Sequence, residues 1–561
     1  MIGNVIPPAL PLLAAVLILP ITSGPIRKLF TLLLPLLALF LVWQVPDGPG
    51  LTFPFIGLDI VPVMGSNVAR LFATVFTLMA LVGGLFALNQ ARVVELAAAF
   101  GYAGSAVGVC FAGDLVTVFV FWELMAIGST LVIWSAGTPE AWRASMRYAT
   151  VHLFGGVVLM IGIVGEILGT GSNAFTQLTL DSPARWFMIA GFLINAGAPP
   201  LQAWLPDAYP EGSPFGTVFL SAYTTKTAVF VLLVTFPGAQ ILIYVGLFMV
   251  FYGIIYALLE NDMRRILAYS IVNQVGFMVT GIGIGTEMAL NGAAAHAFTH
   301  IIYKALLLMS AGSVLYMTGK RKCTDLGGLF QSMPVTAICG IIGALAISSF
   351  PFTSGFISKS MIAQSAADQH LAIVWMMLAA ASAGVFLHAG IKFPWFVFFQ
   401  KDSGLRPPDP PWNMRLAMYI FAFLCIGLGV WPDGLYALLP YPTGYEPYTG
   451  SHLVFQFQLL LFSGLAFFVG LPLMKRTLTI SLDVDWFFRV PIRRAGLAIL
   501  DGASALRAGL ADAARDRATD SWHFLQASSG RRRLRMLGQS TGVAVLIVAF
   551  LLGLYVVLYY V

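Results

Sequence analysis

The chain has 561 residues, of which 58% are hydrophobic and only 10% charged, with a mean hydropathy of +0.85. A soluble domain carries roughly 25% charged residues, so the composition excludes a soluble globular fold and indicates an all-α polytopic membrane protein. The net charge of +6 follows membrane topology rather than nucleic-acid binding, and Cys110, Cys323, Cys339 and Cys425 lie too far apart to suggest a metal or iron–sulfur site, so no metal and no cofactor are expected.

A spanning helix needs about 20 mostly apolar residues. Sixteen stretches qualify, centred near residues 14, 36, 79, 103, 125, 158, 194, 226, 249, 276, 303, 347, 385, 423, 464 and 550. Numbering each connection by the span before it places 25 of the 31 Lys and Arg on odd connections. The positive-inside rule then puts those connections in the cytoplasm and both termini on the outer, periplasmic side of a cell (inner) membrane. No basic region precedes the first apolar run, so no cleavable signal is expected.

Ionisable residues within spans are costly and tend to face an interior pathway. In chain order, Asp114 reads as the cap of the fifth span, and Glu123 lies mid-span in FVFWELMAIGS. His152, in the sixth span, reads as a satisfied core histidine, as does His388 in the thirteenth. The seventh span carries Asn195 and is broken at Ala198-Pro199-Pro200, ahead of a loop with two carboxylates, WLPDAYPEG. Lys226 is central to the eighth. In the eleventh, His296, His300 and Lys304 recur every fourth residue and so share one face. The twelfth is broken from Pro351 to Gly355, before Lys359, and Lys392 lies near a cytoplasmic end of the thirteenth, where it can snorkel. Taken singly, each charge is compatible with a structural ion pair, and HxxxH lacks the extra ligands of a metal site. Together they read as a proton path.

The two broken spans differ by five in order and so run in opposite directions. Two inverted five-helix units, residues 93–237 and 238–400, would each place the break in their fourth helix, the pattern of an inverted-repeat carrier. Residues 1–92 supply the three preceding helices and 401–480 the fourteenth and fifteenth. Residues 481–537 then form an amphipathic interfacial segment, with Leu497, Leu500, Ala503, Leu506 and Leu510 at helical spacing. Pro491 and several glycines argue against one straight rod, and 538–561 is a final span.

FVFWELM, WLPDAYPEGSP, LSAYTTKTAVF, RRILAYSIVNQVGF, HAFTHIIYKALLLMSAG and SGFISKS resemble the antiporter-like membrane subunits of respiratory complex I and of Mrp-type multisubunit Na+/H+ antiporters, over roughly residues 60–400. The loop wording is closest to the D subunit of the Mrp type. The resemblance implies fourteen core helices and a proton-translocating role beside other membrane subunits. By position it makes Glu123, Lys226, His296, His300, Lys304 and Lys359 the pathway residues. One position departs: Asn195 stands where the family usually has a lysine, which deprives Glu123 of its usual ion-pair partner.

The leading expectation is therefore a transporter subunit, working in the bilayer with protons and Na+ or K+, with no nucleic acid. The alternatives are a pump subunit of a redox-driven complex and a scaffold that has lost transport.

Overall fold

In hydrocarbon a backbone must satisfy its own hydrogen bonds, which leaves helices as the economical form for long apolar runs. The computed structural model of the chain describes residues 5–472, 483–528 and 541–560 and is mostly helical. The helices are α1 (Leu10–Ile21), α2 (Gly24–Val42), α3 (Asn67–Ala87), α4 (Val93–Phe111), α5 (Leu115–Trp134), α6 (Pro139–Thr170) and α7 (Pro183–Ala196). After two short helices, α8 (Trp204–Ala208) and α9 (Gly216–Leu220), come α10 (Thr224–Thr235), α11 (Ile241–Leu259), α12 (Met263–Ile284) and α13 (Glu287–Thr318). Next are α14 (Pro334–Ile347), α15 (Ser354–Asp368), α16 (Ala372–Val385), α17 (Trp412–Val430), the short α18 (Asp433–Tyr436) and α19 (Gly450–Gly470).

All sixteen expected centres fall in helices, but twelve helices among the described residues are long and apolar enough to cross a membrane. The others are α1, α7 and α14, of 12 to 14 residues, and the closing helix Thr541–Tyr560. The helical fold also carries one short sheet. Gly48–Phe55 (β1) and Leu58–Gly65 (β2) form an antiparallel hairpin, closed by Ile56 and Gly57 at φ of 50° and 75°. Positive φ at both central residues gives the turn twist that joins two strands directly.

Connections of like parity meet each other. Arg147, early in α6, pairs with Asp207 after α7 at 2.7 Å, and Arg321 after α13 reaches both Glu211 (3.0 Å) and Asp262 (2.8 Å). Among the even connections, Asp114 accepts from the Val61 amide at 2.8 Å and Asn173 donates to the Asp59 carbonyl at 2.8 Å. Asp114 also caps α5 as expected, accepting from the Thr117 amide. Outside the spans, burial raises the Asp262 carboxyl above its usual range, against the pull of Arg321 and Arg264.

The chain divides into two units, Met1–Val484 and Asp485–Val561. In the second, α20 (Asp485–Phe487) leads through a π-helical turn, Phe488–Ile492, into α21 (Arg493–Ser528), and α22 (Thr541–Tyr560) follows. α21 runs unbroken for 36 residues through Gly496, Gly502 and Gly509, about 54 Å at 1.5 Å per residue, and starts just after Pro491, which lies in the π turn. Its Leu497, Leu500, Leu506 and Leu510 are exposed. The expected boundaries at 480/481 and 537/538, and the basic clusters at Lys475 and Arg531–Arg535, lie outside the described residues.

Candidate functional site

The centre of the first unit of the chain is α13. His296, His300 and Lys304 lie on successive turns of its one face and are wholly buried. His296 contacts the Gln274 amide oxygen through Nε2 and the Ser358 hydroxyl through Nδ1, both at 3.0 Å. His300 has no hydrogen-bond partner at either ring nitrogen and lies edge-on to Tyr303. Lys304 Nζ donates to the Ser270 hydroxyl at 2.9 Å and to the Leu267 carbonyl at 3.2 Å.

Lys359 is set by the break in the twelfth span. α14 ends at Ile347, the chain turns through Ser349 and Phe352 at positive φ, and α15 restarts at Ser354. Pro351 lies in this turn, and Gly355 is required: a Cβ there would come within 1.9 Å of the Ala346 oxygen. The break leaves the Ile347 carbonyl without a helical donor, and Lys359 Nζ supplies one at 2.9 Å while lying 4.9 Å from the Phe277 ring centroid.

A further interruption went unread in the sequence. The eighth span is not continuous: α9 stops at Leu220, Ser221–Tyr223 form a turn, and α10 begins at Thr224. Lys226 Nζ donates to the Ser221 carbonyl exposed by this turn (2.6 Å) and to the Thr225 hydroxyl (3.0 Å). The signal was in SAYTT, whose hydroxyls compete with helical backbone bonds.

Lys392 does not snorkel. It is 6% exposed and turned inward from a π-helical segment, Phe386–Lys392, onto the carbonyls of Ala257, Leu258 and Glu260 at the end of α11. All four lysines within the spans thus rest on backbone carbonyls. No ion pair among the described residues includes a lysine. For Lys359 and Lys392 the carbonyls belong to helix C-termini, which carry partial negative charge.

The α5–α7 region is arranged differently. Glu123 projects from α5 onto Gly156 of α6, where a Cβ would sit 2.0 Å from its Oε1, and that oxygen is buried without a partner. Lys226 does not pair with it, being committed to Ser221 and Thr225. Asn195, 1% exposed in the last turn of α7, meets His152 Nδ1 through its Oδ1 at 2.7 Å. α7 ends at Gly197 (φ 77°), ahead of Pro199 and Pro200, and Trp204 Nε1 joins the Gly197 amide on the Ile194 carbonyl, at 2.9 Å. Gly156→Ala is expected to displace the Glu123 carboxylate and reduce proton flux severalfold without loss of the assembled protein, measured by flux assay beside a native gel.

The carboxylates of the following loop are fasteners. Asp207 takes Arg147 and Glu211 takes Arg321, while the buried Arg264 guanidinium donates to the carbonyls of Pro210 (2.8 Å), Gly212 (2.8 Å) and Ser213 (2.9 Å) and to the Thr217 hydroxyl. Sequence reading also missed a cavity of about 870 Å³ bordered by Glu287, Asp368, Glu446 and His452. It shares His452 and Ser360 with a small cavity that reaches Lys359.

Hydroxyl groups extend two of these parts. Tyr148 donates to Ser129 at 2.9 Å and shares the Thr224 hydroxyl with Tyr102, next to the Thr225 hydroxyl that accepts from Lys226. At the other end, Ser358 bonds both His296 and Thr299 and precedes Lys359. Such a row of imidazoles, amines and hydroxyls can pass protons wherever water completes it.

Buried lysines and histidines beside interrupted helices are thus the main polar feature of the spans among the described residues. Residues 112–386 match the family described as NADH:quinone oxidoreductase/Mrp antiporter, TM. The D subunit of the Na(+)/H(+) antiporter of Alkalihalophilus pseudofirmus is 34% identical over 274 residues, 45% of this chain and 55% of the relative. The N subunit of the NADH-quinone oxidoreductase of Desulforudis audaxviator is 28% identical over 358 residues, 59% of this chain and 71% of the relative. The chain thus spans little more than half the length of the antiporter relative. In fold, it is similar to a chain of the Mrp complex from Dietzia sp. DQ12-45-1b, with a TM-score of 0.68, 21% identity, and coverage of 79% of this chain and 98% of that one. Over residues 112–386, just under half its length, the chain is thus similar to the antiporter-like membrane subunits, and its fold is that of a multi-pass membrane protein.

Proposed function

We propose that this chain translocates protons as a component of a multisubunit monovalent cation/proton antiporter, in the place that the D subunit holds in the Mrp type. One observation carries the reading: lysines buried in the spans rest on carbonyls and hydroxyls, and among the described residues no carboxylate pairs with them. A lysine so placed can release its proton without breaking an ion pair. The antiporter relative exchanges Na+ for H+ by its name, which favours Na+ or K+ as the coupled ion. Residues 93–237 and 238–400 act as the two inverted units, with the pathway running from Glu123 and Lys226 through His300, His296 and Lys304 to Lys359. Both termini lie outside the inner membrane in this reading, an orientation supported by the placement of basic residues.

The oxidoreductase relative favours a second reading, a pump component of a redox-driven complex whose partners would supply the redox energy. The test uses the purified assembled complex in vesicles. An imposed Na+ or K+ gradient is expected to drive proton movement, and Lys304→Ala to lower it at least tenfold with assembly intact. Gradient-insensitive proton movement that requires a quinone reductant would favour the second reading. Full flux in Lys304→Ala would leave a scaffold as the better account.

A further inference from the structure

We propose that His152 is a proton-carrying residue of the first five-helix unit, exchanging a proton with Glu123 and held in one tautomer by Asn195. The inference rests on the reading of the chain as a proton-translocating subunit and deepens it at the position where Asn195 cannot itself carry charge.

His152 lies on α6 at 1% exposure, with its Nδ1 2.7 Å from Asn195 Oδ1. An amide oxygen only accepts, so this contact keeps the proton on Nδ1 and leaves Nε2 with a free lone pair. That nitrogen is buried and has no hydrogen-bond partner. The ring is held by Tyr148, 4.0 Å away between centroids, and Trp204 at 4.6 Å, so its orientation is set by packing on two sides. One turn along the same helix, Gly156 gives up its side-chain space to the Glu123 carboxylate, whose Oε1 is also buried and unpartnered.

Two orphaned polar atoms of complementary chemistry therefore lie at neighbouring turns of α6, a lone-pair base on His152 and, from α5, a carboxyl oxygen that fills the space beside Gly156. A satisfied core histidine would show neither. Through a bridging water, the carboxyl O–H of Glu123 breaks and an N–H bond forms at Nε2, leaving a carboxylate and an imidazolium. Loss of a proton from the imidazolium towards the Tyr148 and Thr224 hydroxyls, followed by reprotonation of Glu123, restores both groups. The groups packed around His152 are Tyr148 on its own helix, Asn195 from α7 and Trp204 from α8. Tyr209 stands behind Tyr148 and Trp204, and Glu123, from α5, meets α6 at Gly156, one turn along from His152. Asn195 is a positioning residue in this scheme.

The test measures proton flux by the assembled complex in vesicles, with Lys304→Ala run in parallel. His152→Gln keeps a hydrogen-bonding amide but cannot titrate, and is expected to lower flux at least tenfold with assembly unchanged. The exchange His152→Asn with Asn195→His returns an imidazole to the other side of the same contact and is expected to recover a third or more of wild-type flux. Flux within twofold of wild type in His152→Gln overturns the proposal. If that variant fails to assemble, Asn195→Leu is read instead: it frees the tautomer, and its pH–flux profile is expected to shift by at least half a pH unit. An unchanged profile overturns the proposal. Full flux in His152→Gln with Lys304→Ala inactive defeats this inference alone, whereas full flux in both defeats the functional reading itself.

Discussion

Lys359→Ala is expected to reduce proton flux at least tenfold in vesicles while the complex still assembles. The ammonium has one hydrogen bond, to Ile347 O, and a ring face at Phe277, so it is anchored but not neutralised. It also lines the small cavity that shares His452 and Ser360 with the larger acidic one bordered by Glu287, Asp368 and Glu446. In the proposed pathway, a proton passed by His296 and Ser358 would be taken up by Lys359, the residue after Ser358, in its neutral amine form. Truncation removes the acceptor and leaves the Ile347 carbonyl unsatisfied, a loss of about 1–3 kcal/mol that the rest of the fold can absorb. Lys359→Arg separates charge from proton transfer, because a guanidinium keeps its charge and donors but does not release a proton. It is expected to assemble and to remain inactive. Flux near wild type in Lys359→Arg would mean that the position serves as fixed charge only.

The largest effect on stability is expected at Arg264. Its side chain is 3% exposed and ties together the carbonyls of Pro210, Gly212 and Ser213 and the Thr217 hydroxyl, drawing the loop after α7 against the start of α12. Arg264→Met keeps much of the volume but removes every one of these bonds at once and leaves the buried Gly212 carbonyl without a donor. By analogy with breaking a buried charged contact, the loss is about 3–5 kcal/mol, enough to lower the thermal midpoint of the detergent-solubilised complex by several degrees. Arg264→Lys is expected to recover only part of this, since a single ammonium cannot reproduce the spread of a guanidinium fork. Arg147→Met should cost far less, because its pair with Asp207 is partly open to solvent. Thermal melts of the three variants order these costs, and equal midpoints for Arg264→Met and wild type would contradict the role assigned to the arginine.

Much of the site was legible because charge is conspicuous in apolar sequence. Glu123, Lys226, Lys304 and Lys359 could be picked out by cost alone, and the four-residue spacing of His296, His300 and Lys304 put them on one face before any fold was known. The prolines at 199, 200 and 351 likewise announced two breaks. The turn before Lys226 carries no proline and was missed, since serine and threonine are tolerated in spanning helices and only the surrounding packing decides whether they unwind one. The hairpin at Gly48–Gly65 was missed because its strands are short beside the apolar runs that dominate the composition.

Composition and periodicity by themselves determined that the chain lies in a membrane, which stretches are helical, where basic residues collect and which titratable groups are buried within spans. These properties follow from local hydrophobicity and backbone satisfaction, which act along the chain. The tertiary structure alone decided the partners: that the lysines rest on carbonyls and not carboxylates, that the loop carboxylates are fasteners, and that Lys392 turns inward. It also decided the opposite fates of two residues that looked alike in their blandness. Asn195 is tied to His152, and His152 keeps one nitrogen free, because contacts between α6, α7 and α8 depend on helix packing that no single segment encodes.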